Sequence, residues 1–301
     1  MLLFGPNRRS VLTMLAGTVV VVAIAGGIWE MYKKTVRTTL RQIVSANQAP
    51  QVSRKLLERA VNATSVAYLQ LKTGKDLETQ VNARGWKSAV SLYTDKGWVF
   101  SSKPVGFVCS MTEADALVAV RGTQNTSDVV DDLEYTQTNT TMPNGTVGWV
   151  SSGFIGTARS ISEGIATWLK THPNTKTIAF AGHSMGAAVA CLAACMVPSL
   201  QVTSVYLMAP PKFGDSQFVK NYRSSAPGNV TIAFRSRDDP IADLPAVQMP
   251  GNYSFYSIMS PERTIQFELP LATADGVMRH HSDSFYDAPL RESWARNLSQ
   301  P

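Results

Sequence analysis

The sequence predicts an α/β fold in which a mostly parallel central sheet carries helices on both faces, preceded by an N-terminal transmembrane or signal segment. Short apolar runs typical of buried strands alternate with segments of helical periodicity, which is the pattern of such a sheet. Strands are predicted at 107–109, 117–120, 177–181, 203–208 and 230–234, and helices at 56–71, 153–172 and 187–195. The 301 residues suffice for one such domain of about 250 residues beyond the N-terminal segment.

The N-terminal segment is apolar enough to enter a membrane. Residues 11–29 contain no charged side chain and approach the length of about 20 residues that a bilayer span requires. A retained signal-anchor fits this run, and so does a signal peptide cleaved at the small residues 23–25. We favour the anchor because the apolar run continues past Ala25. The predicted organisation is an anchor region at 1–32, a basic stalk at 33–54 and a globular domain at 55–301.

The net charge of +6 is concentrated at the N-terminus. Residues 1–54 hold seven basic side chains and one acidic one, whereas the remaining residues hold 21 of each sign. A neutral domain has no basic surface to attract nucleic acid, so no nucleic-acid partner is expected. The cysteines at 109, 191 and 195 do not form a disulfide framework, and no Cys/His spacing matches a zinc site. We therefore expect neither a metal nor a cofactor.

Seven asparagines carry the Asn-x-Ser/Thr pattern of N-glycosylation, which favours a lumenal or extracellular globular domain. They are Asn62, Asn125, Asn139, Asn144, Asn229, Asn252 and Asn297. The basic residues that follow the apolar run favour a cytoplasmic domain instead. We expect the secretory side, with a secreted chain as the alternative if the N-terminal segment is cleaved.

The pentapeptide Gly-His-Ser-Met-Gly at 182–186 fits the Gly-x-Ser-x-Gly pattern of a nucleophilic serine on a sharp strand-to-helix turn. The glycines allow a turn too tight for side chains on either side of the serine. The predicted strand 177–181 precedes this turn and the small-residue helix 187–195 follows it. The order of strand, turn and helix is the one that presents a serine hydroxyl for attack, which makes Ser184 the predicted nucleophile.

A serine hydroxyl needs a base to become a good nucleophile. Of the four histidines, His172 lies at the far end of the predicted strand and His183 is turned away from Ser184 by the elbow. His280 and His281 remain, and both fit the chain order of serine, acid and histidine.

The acid that orients the histidine should follow a later strand. Asp238 and Asp239 both follow the predicted strand 230–234, so either could take this role. The oxyanion formed on the substrate needs two preorganised donors. The backbone N–H groups of Met185, directly after the nucleophile, and of Thr123, at the end of an earlier strand, are the predicted pair.

Taken together, these segments resemble the class 3, or fungal-type, lipases, a branch of the α/β-hydrolases. The matching motifs are an oxyanion segment at 119–123 continued at 128–133, a serine segment at 182–187, an acid segment at 239–245, and His281 followed by Tyr286. The resemblance selects Asp239 over Asp238 and His281 over His280. The segment 121–133 is also similar to the diacylglycerol lipase branch.

The resemblance implies a serine carboxylic-ester hydrolase that cleaves acyl esters of glycerolipids through an acyl-enzyme, with Ser184, Asp239 and His281 as its triad. A lipid substrate and a membrane surface are the implied partners. Phospholipase A activity, acyl transfer at the same site and a catalytically silent lipid-binding scaffold are the alternatives.

Two further predictions concern the surroundings of the site, one from the resemblance and one from composition. The resemblance implies a lid helix at 127–134, like that of the fungal lipases, although Val129 stands where a tryptophan is frequent and Ala242 where a proline is frequent. The polar, turn-rich segment 136–148 is predicted to be a mobile loop.

Overall fold

The computed structural model describes residues 54–69, 74–94, 104–122, 136–197, 199–236, 239, 241–244, 258–259 and 264–267. The chain divides into two units, Met1–Gln48 and Ala49–Pro301, and every described residue belongs to the second. The predicted anchor, nearly all of the stalk and the lid segment 127–134 lie outside the described residues. Within the described part of the chain, none of the helices combines the length and hydrophobicity that a membrane span requires.

Nine strands are present among the described residues. They are β1 (Lys87–Leu92), β2 (Gly106–Ser110), β3 (Asp115–Val120), β4 (Gln137–Thr141), β5 (Val147–Ser151), β6 (Thr177–His183), β7 (Gln201–Met208), β8 (Thr231–Ser236) and β9 (Thr264–Phe267). The central sheet has the order β1-β2-β3-β6-β7-β8-β9, and β4 pairs with β5 in a separate hairpin. Strand β2 is antiparallel to both neighbours, whereas β3, β6, β7, β8 and β9 run parallel. The predicted mostly parallel sheet is confirmed.

Helices cover both faces of this sheet, as predicted. They are α1 (Arg54–Tyr68), α2 (Gly74–Asn82), α3 (Ser152–Lys170), α4 (Met185–Ala194), α5 (Ser216–Arg223) and the single turn α6 (Ala226–Asn229), with a 3-10 turn at Ile241–Asp243. The side chains of β3 alternate between the two faces because successive strand residues point in opposite directions. Val118 and Val120 join the apolar cluster that contains α3 and α4, whereas Leu117 and Ala119 join the cluster of α1 and α2.

Helix α3 is amphipathic, and its apolar side faces the core. The buried side chains follow the three- and four-residue spacing that the sequence shows: Phe154, Ile155, Ala158, Ile161, Ile165 and Trp168. Beyond its C-terminus the ring of His172 stacks on the ring of Trp168 at 3.8 Å between centroids. In the chain, His172 comes before the amino end of β6, whereas Ser184 directly follows its carboxyl end. The two residues therefore lie at opposite ends of this strand, as predicted.

The segment 136–148 is part of a β-hairpin, so the prediction of a mobile loop is wrong there. Strands β4 and β5 are antiparallel, and the Oδ1 atom of Asn144 accepts a bond from the N–H of Thr146 in the turn between them. The Nδ2 atom of Asn221 on α5 donates to the carbonyl of Val147. The polar composition reflects an exposed sheet face, and the turn residues close a hairpin.

Candidate active site

Ser184 lies between the last residue of β6 and the first residue of α4. Its backbone has φ 56° and ψ −130°, a conformation that costs energy for a non-glycine residue and persists only when the surroundings hold it. The N–H of Ser184 donates to the carbonyl of Met208 at 2.8 Å, and the carbonyl of Ser184 accepts from the N–H of Ala187 at 2.9 Å. Both backbone groups of the strained residue are thus fixed, which is the geometry of a nucleophile elbow.

The two glycines of the pentapeptide are required by close backbone contacts. A Cβ atom on Gly182 would lie 2.2 Å from the carbonyl oxygen of Gly186. A Cβ atom on Gly186 would lie 2.4 Å from the carbonyl oxygen of Arg121 and 2.5 Å from that of Val120. The second glycine therefore allows α4 to begin directly against the end of β3.

The end of β3 lies beside the nucleophile. Strands β3 and β6 are parallel, and Val120 pairs with Gly182, so the chain that leaves β3 passes Ser184. A Cβ atom on Gly122 would lie 2.8 Å from the Cβ atom of Ser184. Thr123, the predicted oxyanion donor, follows Gly122 but lies outside the described residues.

Both backbone polar groups of Gly122 are held by side chains. Its N–H donates to the hydroxyl of Tyr68 at 2.8 Å, and its carbonyl accepts from Nη1 of Arg121 at 3.2 Å. The Nε atom of Arg121 also donates to the carbonyl of Pro104 at 2.8 Å. Arg121 lies in the predicted oxyanion segment 119–123, but no role was predicted for its side chain, and Tyr68 was not predicted for the site.

The side chain of His183 agrees with the prediction that it is not the base. Its Nδ1 atom lies 2.6 Å from the hydroxyl of Tyr68, and the two rings meet edge to face at 5.6 Å. Because the elbow sends adjacent side chains in different directions, His183 packs against α1, on the side of the sheet away from α4. No spacing signal in the sequence links Tyr68 to His183, since 115 residues separate them.

The second predicted oxyanion donor, Met185, is the first residue of α4. The backbone N–H groups of the first helical turn point out of the helix, and the helix dipole favours negative charge there. All ten residues of α4 are buried, and most are small. This allows the N-terminal end of the helix to approach the sheet edge closely.

Asp239 follows β8 at the same edge of the sheet. Its side chain is only 1% exposed, so it can act in a site shielded from water. The guanidinium of Arg235 forms an ion pair with the carboxylate of Asp243, which joins the end of β8 to the 3-10 turn beyond Asp239. Asp238, His280 and His281 lie outside the described residues, so the triad itself stays a prediction.

Lys212 lies close to this ion pair. Its backbone N–H donates to the carbonyl of Leu244 at 2.8 Å. Burial lowers the pKa of the Lys212 ammonium, with Asp243 opposing that effect and Arg235 adding to it. A partly buried group of three charges thus lies near the carboxyl ends of β7 and β8.

Burial also sets the protonation of other groups in the domain. Desolvation lowers the pKa of the Arg121 guanidinium, although an arginine stays charged at physiological pH. Burial raises the pKa of the thiols of Cys109 and Cys195 to about 12 and that of Cys191 well above its usual range. These thiols are therefore protonated, and a thiol needs to be ionised to act as a nucleophile. Among the described residues, no group of three or more His, Cys, Asp or Glu side chains could hold a metal ion.

Known proteins share the fold of this chain and part of its sequence. The model of the class 3 lipase family matches residues 117–249. The crystal structure of a fungal lipase has a TM-score of 0.51 and 19% identity, covering 75% of this chain and 85% of that one. The nonglycosylated LIP2 lipase of Yarrowia lipolytica has a TM-score of 0.51 and 16% identity, covering 67% and 79%.

A comparison with curated proteins gave no match. The structural similarities confirm the predicted α/β-hydrolase fold, and the family match confirms the predicted resemblance over residues 117–249. The narrower similarity to diacylglycerol lipases stays a prediction.

Proposed function

With residues 117–249 identified as a class 3 lipase segment, we propose that this protein is a lipase that hydrolyses acyl esters of glycerolipids through Ser184. One observation carries the proposal. Ser184 occupies a strained elbow with both backbone groups bonded, while the end of β3 passes within contact distance of its side chain. This conformation exposes the serine hydroxyl for attack on a substrate carbonyl, beside the donors that bind the resulting oxyanion.

The proposed reaction begins when the hydroxyl of Ser184 attacks the ester carbonyl and His281 takes the hydroxyl proton. The N–H groups of Thr123 and Met185 bind the oxyanion, and Asp239 orients His281 and stabilises its charged form. The tetrahedral adduct then expels the alcohol, which receives the proton from His281. Water attacks the acyl-enzyme with His281 again as the base, and the fatty acid leaves with Ser184 restored.

Glycerolipids are the proposed substrates because of the family segment and because the apolar run at 11–29 would keep the enzyme where such lipids are concentrated. About 20 apolar residues are enough to span a bilayer, so an uncleaved run would hold the catalytic domain at the membrane surface. We propose a lumenal or extracellular catalytic domain on this anchor. Fractionation without detergent, with sequencing of the mature N-terminus, tests this part. A mature chain that begins near Gly26 would contradict the anchor.

The experiment that tests the activity compares the full chain with Ser184→Ala. Emulsified triacylglycerol, diacylglycerol and phospholipid and a soluble p-nitrophenyl ester are offered, with and without an alcohol as acyl acceptor. Ser162→Ala is the matched control, because Ser162 lies on α3 and its hydroxyl donates to the carbonyl of Ala158 at 2.7 Å. We expect wild type and Ser162→Ala to release fatty acid from acylglycerols and Ser184→Ala to be inactive.

The other outcomes separate the alternatives. Equal turnover by wild type and Ser184→Ala would remove Ser184 from the reaction, and no turnover by either would favour a silent lipid-binding scaffold. Activity confined to phospholipid would replace the lipase with a phospholipase A. Formation of a new ester with the alcohol in preference to free acid would make the enzyme an acyltransferase.

A further inference from the structure

We propose that Tyr68 and Arg121 are positioning residues that fix the peptide between Gly122 and residue 123 in the orientation required of an oxyanion donor. This inference rests on the proposed function, since it assigns these two side chains to the site around Ser184. It concerns how the site is preorganised, and neither side chain is proposed to touch the substrate.

Tyr68 holds the N–H side of Gly122. Its hydroxyl accepts from the Gly122 N–H at 2.8 Å and lies 2.6 Å from Nδ1 of His183. A phenol can accept one bond and donate another, so one hydroxyl can connect the end of β3 to the elbow of Ser184. Tyr68 is the last residue of α1, and a helix end packed on the sheet is a rigid support.

Arg121 holds the carbonyl side of the same glycine. Its Nη1 atom donates to the Gly122 carbonyl at 3.2 Å, and its Nε atom donates to the carbonyl of Pro104 at 2.8 Å. The side chain is 5% exposed and is thus anchored between two backbone carbonyls. The planar fork of a guanidinium suits this arrangement better than the single nitrogen of a lysine.

Peptide planarity connects these contacts to catalysis. The carbonyl of Gly122 and the N–H of residue 123 belong to one peptide unit, in which the two groups point in opposite directions. A fixed Gly122 carbonyl therefore fixes the direction of the next N–H. The arginine that precedes this glycine and the tyrosine that ends α1 would together set the direction of that donor.

The close approach at Gly122 explains why this peptide needs support. A Cβ atom at this position would lie 2.6 Å from the Tyr68 hydroxyl and 2.8 Å from the Ser184 Cβ atom, so only glycine fits between them. A glycine has no side chain to restrict its backbone, and its orientation must come from its neighbours. The two hydrogen bonds of Gly122 supply that restriction.

The test uses Tyr68→Phe and Arg121→Lys in the full chain, with a soluble p-nitrophenyl ester as substrate. Tyr222→Phe is the matched control, because the Tyr222 hydroxyl is also within hydrogen-bonding distance of another side chain, at 2.6 Å from Oγ1 of Thr231. Removing an oxyanion donor costs about 10²–10³ in kcat, so a displaced donor is expected to lower kcat by about 10- to 100-fold. The KM should stay nearly unchanged, since the interaction forms in the transition state.

A trifluoromethyl ketone separates positioning from general stability, because its tetrahedral adduct places an oxyanion in the site. The affinity for this inhibitor should fall with kcat in Tyr68→Phe and Arg121→Lys. It should stay at the wild-type value in Tyr222→Phe, even where Tyr222→Phe lowers Tm. Folded Tyr68→Phe and Arg121→Lys proteins with wild-type kcat and inhibitor affinity would overturn the proposal.

Hydrogen exchange on the wild-type chain provides a measurement that needs no variant. The Gly122 amide should exchange slowly, because its N–H donates to the Tyr68 hydroxyl, and rapid exchange there would also overturn the proposal.

Ser184→Ala distinguishes failure of the positioning role from failure of the proposed function. If Ser184→Ala is inactive while the Tyr68 and Arg121 variants keep full activity, only the positioning role fails; if Ser184→Ala keeps wild-type turnover, both fail.

Discussion

Gly186 packs directly on the backbone of Arg121, so that a Cβ atom on the glycine would lie 2.4 Å from the arginine carbonyl oxygen. The contact joins the start of the helix after the nucleophile to the end of the strand that precedes the predicted oxyanion donor. The second glycine of the elbow therefore serves tertiary packing as well as the local turn. It places two parts of the proposed active site in contact through backbone atoms alone.

The first prediction concerns this contact. Gly186→Ala should lower the free energy of unfolding by about 1–3 kcal/mol, because the added methyl group forces backbone atoms apart. Gly156→Ala is the control, since a Cβ atom there would meet nothing within 4 Å, and it should raise stability by about 0.5–1 kcal/mol through helix propensity. Urea unfolding measures both. A Gly186→Ala protein as stable as wild type would contradict the packing described.

The second prediction concerns the thiols. Because burial raises the pKa of Cys109, Cys191 and Cys195, iodoacetamide should leave the native protein unmodified and its esterase activity intact at neutral pH. All three thiols should react once the chain is unfolded in denaturant. Mass spectrometry counts the modified cysteines in each case. Inactivation of the native enzyme by the reagent would point to a thiol in the reaction.

The third prediction concerns pH and the amino end of β3, at the sheet edge opposite Ser184. The hydroxyls of Thr177 and Thr112 donate to the Asp115 carboxylate and hold its pKa below its usual range. Since the folded pKa is the lower one, the ionised group stabilises the fold above the unfolded-state pKa, and this contribution disappears as pH falls through the folded pKa.

Asp115→Asn should therefore be less stable than wild type near neutral pH. The difference should be below about 1 kcal/mol for so accessible a group and should shrink as the pH falls below about 5, where the unfolded-state carboxyl begins to bind a proton. Unfolding curves at several pH values measure it, and esterase activity at neutral pH should not change. A stability difference that grows as the pH falls would contradict the assigned direction of the pKa shift.

The fourth prediction separates the neighbouring candidates for acid and base. Asp239→Asn and His281→Ala should lower kcat by about 10⁴-fold, as the loss of a triad member does. Asp238→Asn and His280→Ala should retain most of the activity. The burial of the Asp239 side chain supports the first choice. Kinetics on one soluble ester compare all four, and a larger loss in either neighbour would move the role to that residue.

The elements with strong apolar periodicity were predictable from the sequence. The strand, turn and helix around Ser184 and the helix α3 lie close to their predicted positions because burial selects the same residues that define the pattern. Helices α2 and α5 and the edge strands β1 and β9 were not predicted. These elements are short or polar, and contacts with the rest of the fold stabilise them more than local preference does.

The candidate site was likewise predictable only in part. Ser184 could be found because a local motif encodes a local geometry. The bonds among Tyr68, Gly122 and His183 could not, because they join three separate parts of the chain that only the folded sheet brings together. In the sequence, a tyrosine at the end of an amphipathic helix looks like an ordinary packing residue.

The measurement that tests the central claim most directly is active-site labelling of the full chain with a fluorophosphonate. The reagent phosphonylates an activated serine and releases fluoride, so its reaction reports nucleophilicity without any assumption about the lipid. We predict a single label per chain on the peptide that contains Ser184 and loss of ester hydrolysis in proportion to labelling. Hydrolysis that continues in fully labelled protein, or a label on another residue, would contradict the assignment of Ser184 as the nucleophile.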